Sequence, residues 1–196
     1  MTNQIIENYL SDAIASFRNY KKLAERAMEQ VSDEEFFRQI DEESNSIAII
    51  VKHIAGNLKS RWTDFLSSDG EKDFRDRDSE FIVEGDTRES LMEFWDESWQ
   101  ILFDSLEPLK AEDFEKTITI RQQSHTICEA INRQLTHYAY HIGQITFLTK
   151  HFRASDWNSL SVPKNKSLEF NVFMNENKGD KQKQIELAEN FGKEIK

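Results

Sequence analysis

Two histidines four residues apart are the side chains of this sequence best placed to do chemistry. His137 and His141 lie in the stretch 134–145, and residues four apart on a helix share one face, one turn above the other. Two imidazoles so placed can bind one metal ion, as in other helical His-x-x-x-His sites. The alternative is a pair of histidines in a polar stripe without a metal.

A third histidine could complete such a site. His53 lies in the stretch 46–58, whose apolar residues recur at helical spacing, and it falls at the edge of the apolar face. Alone, a histidine of this kind is more often a hydrogen-bonded core residue than a ligand. Together with His137 and His141 it would leave a fourth metal position for water, the pattern of a catalytic rather than a closed structural site. Imidazole ligands do not choose between Zn²⁺ and Ni²⁺, so a divalent ion of either kind is expected.

Four long helices are predicted to position these histidines. Apolar residues recur at spacings of three and four over approximately 3–30, 46–66, 86–107 and 126–152. Capping-box patterns, Asp86 with Glu89 and Thr126 with Glu129, predict the starts of the last two helices. One short extended segment is predicted over 116–121 and one short helix over 167–174.

A charged connection without helical period, 67–85, follows the helix that contains His53. The simplest interpretation is a solvated loop, although connections of this length in small domains are often functional. If the loop folds over one end of the helices, Arg75 and Arg77 are candidates for binding an anionic group of a substrate.

Two amides lie close to the histidines along the helices. Asn57 is one turn beyond His53, and Gln144 is three residues beyond His141. Each could orient a substrate or hold an imidazole in one tautomer. Spacing identifies no Asp or Glu as a general base, so the catalytic residue is unknown from the sequence.

Composition limits the possible partners. The net charge is -11 and no basic run interrupts the acidity, which argues against a nucleic-acid backbone or an anionic membrane as the main partner. Cys128 is the single cysteine, and neither a secretory signal nor a membrane-span pattern is present. A cytoplasmic protein is therefore expected, with one domain over 1–175 and a polar, flexible tail over 176–196.

The two histidine stretches together resemble the DinB-like superfamily of metalloenzymes. The resemblance rests on a mid-helix His53 and, much later, on His137-x-x-x-His141-x-Gly143-Gln144-Ile145. The runs 44–57, 61–66 and 159–167 are similar to one bacterial branch of uncharacterised function. Covering about residues 1–175, the resemblance implies an all-α, four-helix bundle of up-down-down-up order, a three-His metal site and often a homodimer. The long loops and the short C-terminal helix predicted above are further parts of the expected architecture.

Characterised relatives in that superfamily include bacillithiol S-transferases and a mycothiol-dependent maleylpyruvate isomerase. The resemblance therefore implies a small-molecule substrate, a low-molecular-weight thiol such as bacillithiol as cofactor, and S-transfer in detoxification. Metal-dependent hydrolysis is an alternative enzymatic function. A non-enzymatic helical dimer module, with a structural metal or none, is the alternative of a different class.

Overall fold

The computed structural model describes residues 2–179 and Phe191, and this part of the chain is mostly helical. It contains α1 (Thr2–Met28), α2 (Asp33–Phe37), α3 (Ile47–Trp62), α4 (Arg88–Leu106), α5 (Ile127–Arg153) and α6 (Ser167–Glu176). Two strands, β1 (Thr117–Ile120) and β2 (Gln123–Thr126), form an antiparallel pair. Within the described ranges, no helix combines the length and apolar content needed to cross a membrane.

Side-chain caps begin the two helices that carry the histidines. At α5, Thr126 and Glu129 form the predicted capping box, with the Glu129 N–H donating to Thr126 Oγ1 (3.1 Å) and the Thr126 N–H donating to Glu129 Oε2 (2.7 Å). At α3, Ser46 Oγ accepts from the N–H of Ile49 at 3.2 Å. Local sequence thus sets where both helices start.

The start of α4 differs from the prediction. Thr87 rather than Asp86 is the N-cap, and its capping-box partner is Ser90 rather than Glu89. Asp86 instead forms an ion pair with Lys52 of α3, at 2.6 Å. A contact with a neighbouring helix therefore uses the carboxylate that the local pattern had assigned to the helix end.

The end of α3 also differs, since the helix stops at Trp62 and not near residue 66. Thr63 adopts an extended backbone (φ -62°, ψ 123°) and Asp64 has a positive φ of 49°. Asp is one of the few non-glycine residues that enter the left-handed region readily. The chain accordingly leaves the helical path directly after Trp62.

The four long helices pack around a shared apolar core. Helix α3 packs mainly against α4, α1 packs mainly against α5, and contacts between α3 and α5 and between α1 and α4 join the two pairs. At the centre, the rings of Phe17, Trp62, Trp99 and Tyr138 meet edge to face, with centroids 5.5–6.4 Å apart. Such pairs add about 0.5–1.5 kcal/mol each beyond the burial of their area. This core holds α3 in place relative to α5.

The predicted extended segment is one half of a hairpin. Arg121 and Gln122 link the strands with positive φ angles of 52° and 63°, the backbone geometry of a two-residue hairpin turn. The carboxylate of Asp69 accepts from the N–H groups of Arg121 (2.8 Å) and Gln122 (2.7 Å), which stabilises this turn without glycine. The partner strand β2 is largely exposed and polar, so its sequence carries no apolar alternation.

The connection 67–85 is folded against α3. Gly70 donates its N–H to the carbonyl of Thr119 in β1 (2.8 Å), and Ser60 of α3 donates to the carbonyl of Gly70 (3.1 Å). A 3₁₀ turn at Asp78–Phe81 contacts α3 further along. The loop therefore lies along α3 and contacts β1. That it folds over one end of the helices stays a prediction.

The predicted short C-terminal helix is α6. Most of the proposed tail, 176–196, lies outside the described residues. Phe191, which is described, is 6% exposed, and its ring lies 5.2 Å from that of Phe170 and 5.5 Å from that of Phe173.

Candidate metal centre

Helices α3 and α5 bring three histidines together. His53 lies in the middle of α3, while His137 and His141 lie one turn apart on α5. The Nε2 atoms of His53 and His137 are 3.4 Å apart, and those of His137 and His141 are 3.1 Å apart. The three histidines offer one ring nitrogen each, all within 4.8 Å of one another. They lie close enough to hold one metal ion.

The spacing of these nitrogens can be compared with that in a tetrahedral zinc site. Two nitrogens bound to one tetrahedral Zn²⁺ at 2.0–2.1 Å are about 3.3 Å apart. The separations of 3.4 Å and 3.1 Å between the histidine nitrogens lie on either side of that value. Three neutral imidazoles suit Zn²⁺, Ni²⁺ and related divalent ions. The residues present therefore fit a divalent metal with nitrogen ligands.

Each imidazole has an acceptor at its other nitrogen. The Nδ1–H of His53 donates to Glu80 Oε2 at 2.8 Å, and that of His141 donates to Gln144 Oε1 at 2.8 Å. The Nδ1–H of His137 faces Gln134 Oε1 at 3.3 Å. Because these oxygens accept hydrogen bonds, each ring carries its proton on Nδ1. The lone pair of each ring is therefore on Nε2 and is directed at the common centre.

Burial keeps the pair on α5 neutral. Desolvation, followed by the nearby charges of His141 and His53, lowers the pKa of His137 to about 3. Desolvation also lowers the pKa of His141 to about 4, against the opposing effect of its hydrogen bond with Gln144. A metal binds the neutral imidazole, so at neutral pH these ligands need lose no proton before binding.

Glu80 is the main feature of the site that sequence reasoning missed. The residue is 4% exposed, and Arg75 donates to both of its carboxylate oxygens, from Nε to Oε1 (2.7 Å) and from Nη2 to Oε2 (3.0 Å). Burial raises the pKa of Glu80, but the hydrogen bonds from His53 and Arg75 outweigh that effect and lower it. Glu80 is therefore a carboxylate that orients His53, as the outer carboxylate does in carboxylate–histidine–metal triads of other proteins.

A glycine in α3 makes room for that carboxylate. A Cβ atom on Gly56 would lie 2.4 Å from Glu80 Oε1 and 2.9 Å from Glu80 Cδ. Glycine within a helix costs roughly 1 kcal/mol relative to alanine, so its presence three residues after His53 is a signal in the sequence. That signal could have indicated that another part of the chain approaches α3 at this point.

The arginines predicted to bind an anionic group have different surroundings. The Arg75 side chain is only 3% exposed and engages Glu80, whereas the Arg77 guanidinium lies 5.3 Å from the ring centroid of Phe81. Both arginines line a cavity of about 380 Å³ that His53 and His137 also line. Arg75 thus supports the histidine site directly, and Arg77 lies at the wall of the adjoining cavity.

The two amides predicted to lie near the histidines have different contacts. Gln144 contacts His141, as described above, and belongs to the histidine site. Asn57 lines the cavity, and its Oδ1 accepts from the hydroxyl of Tyr138 at 3.1 Å. Trp62 donates in turn to that hydroxyl at 3.3 Å. Asn57 therefore ties the wall of the cavity to the aromatic core.

Comparison with known proteins places the chain in a family but supplies no activity. Neither curated proteins nor solved structures give a match. A family model described as "Protein of unknown function (DUF1572)" matches residues 4–166, a range that includes nearly all of α1, the whole of α2 to α5 and all three histidines. The chain belongs to this family.

Proposed function

We propose that this protein is a metal-dependent enzyme of the DinB-like type, with its four long helices arranged as an up-down-down-up bundle around one divalent ion. The convergence of three Nε2 atoms, each with an acceptor at Nδ1, is the observation that carries the proposal. Three core histidines that bind no metal would not need all three lone pairs to point at one centre, so the convergence favours a bound metal ion.

The reaction that we propose is attack of a thiolate sulfur on an electrophilic carbon of a small substrate. The C–S bond forms as the leaving group of the substrate departs with the bonding electrons, and the proton of the thiol passes to water. A divalent ion held by three imidazoles lowers the pKa of a thiol or water bound in its remaining position. Glu80, Gln134 and Gln144 hold the imidazoles in the tautomer that such an ion needs. The cavity beside His53 and His137 offers about 380 Å³ for a small molecule, a volume typical of small-ligand sites.

Glu80 has no role as a general base in this proposal. Its oxygens already accept from His53 and Arg75, and its pKa is lowered rather than raised towards neutrality. A divalent ion held by the three histidines would acidify a bound thiol, so that its proton could pass to water without a separate strong base. The DinB-like resemblance is what favours a thiol over hydrolytic water, and it also supports our proposal that the protein works as a homodimer.

The metal site is tested by removing its ligands one at a time. We expect His137→Ala and His141→Ala to lose one bound divalent metal per chain, measured by elemental analysis after purification and by titration. His151→Ala is the matched control, because His151 is an exposed histidine in the last turn of the same helix. Helical circular dichroism should be unchanged in all three variants. Retention of metal by both site variants would refute the assignment of these ligands.

The reaction class is tested by the response of the metal to thiols. Protein loaded with Co²⁺ should give a visible spectrum, and a small thiol should add a thiolate-to-metal charge-transfer band. Azide should also change the spectrum if one coordination position is open. A spectrum that is indifferent to thiol, azide and pH would mean a closed coordination sphere. We would then assign the protein as a helical scaffold with a structural metal.

A further inference from the structure

A cavity next to the histidine cluster has an unusual charge. Half of the ten arginines in the chain line this cavity of about 380 Å³: Arg61, Arg75, Arg77, Arg121 and Arg133. Among the described residues, no Asp or Glu lines it. The whole chain carries a net charge of -11, so these cations are concentrated against the overall charge. A concave site lined by one sign of charge focuses the field on ions of the opposite sign.

Two of these arginines have strong internal partners. Arg75 is engaged by Glu80, as described above, and Arg121 Nε lies 3.0 Å from Glu71 Oε2. The others differ. Arg77 and Arg133 form no ion pair with a carboxylate in the described part of the chain. Their charges are available to a ligand.

Arg61 is the most informative member of the set. It is 3% exposed, and its Nη2 lies 3.7 Å from Glu71 Oε2, too far for a hydrogen bond. Its Nε and Nη1 atoms are buried without a hydrogen-bond partner among the described residues. A buried guanidinium with unsatisfied donors is costly, and a bound oxyanion would offset that cost.

The loop 67–85 holds Arg61 in place. A Cβ on Gly70 would lie 2.7 Å from Arg61 Nη1 and 3.1 Å from Arg61 Cδ, so the loop covers the guanidinium only because residue 70 is glycine. Ser60 and Thr119 bind the backbone of Gly70 from α3 and β1. The loop thus encloses the guanidinium at the wall of the cavity, and a side chain that is already in position lowers the entropic cost of binding.

We propose that this arginine pocket binds the anionic part of a small organic acid that carries two or more carboxylate or phosphate groups. Guanidinium groups bind both kinds of oxyanion through paired, charge-assisted hydrogen bonds. His53 and His137 line the same cavity, so a molecule anchored by its acidic groups would present its other end to the histidines. Only this last step rests on the proposed function. Anion binding itself requires no metal.

The test uses metal-free protein and isothermal titration with pyrophosphate, succinate and acetate. We expect the two dianionic or more highly charged probes to bind and acetate to bind at least tenfold more weakly. Arg77→Gln and Arg133→Gln should each weaken binding by about tenfold or more, as expected for the loss of a hydrogen bond between charged groups. Arg38→Gln is the control, because Arg38 is exposed and does not line the cavity. The tighter of the two probes identifies the preferred oxyanion.

Arg61→Met provides a second readout. Replacing a buried, poorly paired charge by an apolar side chain should leave the melting temperature of the ligand-free protein unchanged or raise it, while anion binding falls. His141→Ala separates the two proposals, because His141 does not line the cavity. This variant should lose metal and keep anion binding. Failure of wild-type protein to bind either probe, or equal binding by the arginine variants and Arg38→Gln, would overturn the anion-site proposal and leave the metal site standing.

Discussion

Gly56→Ala is the substitution that most directly tests how the histidine site is built. The new Cβ would lie 2.4 Å from Glu80 Oε1, whereas ordinary contacts begin near 3.4 Å. Glu80 would have to move by about 1 Å, which would stretch its 2.8 Å hydrogen bond with His53 beyond the normal range. One added methyl group on α3 should therefore release His53 from its orienting carboxylate.

The expected effect is a loss of metal affinity. Removing an outer partner of a metal-bound histidine typically costs 10–100-fold in affinity, or roughly 1.4–2.8 kcal/mol. The same change within a helix would by itself add about 1 kcal/mol of stability from the higher helix propensity of alanine. In Gly56→Ala that gain is opposed by displacement of the buried carboxylate from its bonds with His53 and Arg75.

The assay is competition for Zn²⁺ against a coloured chelator, with thermal unfolding of the metal-free protein alongside. Gly143→Ala on α5 is the matched control, since a Cβ there meets nothing within 4 Å. It should keep wild-type affinity and show a raised melting temperature. In addition, Gly56→Ala should have no further effect on affinity when Glu80 is already Ala, because both changes remove the same contact.

Two results would refute this reasoning. The first is Zn²⁺ affinity in Gly56→Ala equal to that of wild type and Gly143→Ala, which would mean that the position of Glu80 is irrelevant to the metal. The second is full additivity of Gly56→Ala and Glu80→Ala, which would mean that the glycine acts through some contact other than the carboxylate.

Three further predictions concern the same site and the core. Ser98→Ala should leave the free energy of unfolding unchanged or raise it, because the buried Ser98 hydroxyl has no partner among the described residues. Ser60→Ala should instead lower the free energy of unfolding in urea titrations by about 1–3 kcal/mol, because Ser60 Oγ donates to one backbone group and accepts from another. Gln144→Leu should reduce Zn²⁺ affinity by roughly tenfold or more with little change in melting temperature, and unchanged affinity would count against an orienting role. The metal-free protein should lose stability as pH falls from 6.5 towards 4, since the imidazoles of His137 and His141 take up protons in the unfolded chain at about 6.5 but in the folded chain only at about 3 and about 4; a flat profile in urea titrations across this range would contradict the burial of these rings.

Much of the fold follows from local patterns in the sequence. Helical periodicity predicts the four long helices, and the capping box at Thr126 and Glu129 predicts the start of α5. The spacing of His137 and His141 puts their rings on one face, because residues four apart on a helix are neighbours whatever the rest of the chain does. These features depend on interactions within a single turn of the backbone.

Contacts between distant segments decided the remainder. Asp86 pairs with Lys52 instead of capping the start of α4 as predicted. Asp69 stabilises the turn between β1 and β2, which lie more than 45 residues further along the chain, and only the first of these strands was predicted. No periodicity encodes such pairings, because they depend on which surfaces meet after the helices have packed.

The candidate site likewise combines residues that the local sequence indicates with residues that only the packing of distant segments brings together. Its three histidines and Gln144 could be named from the sequence, but Glu80 could not, because the carboxylate reaches His53 from a loop whose charges resemble those of any solvated connection. The concentration of arginines in one cavity is likewise invisible along the chain, where the five are spread from Arg61 to Arg133. Local spacing determines which groups can share a helix face. Only the packing of α3, α5 and the loop between α3 and α4 decides which charges meet around a common centre.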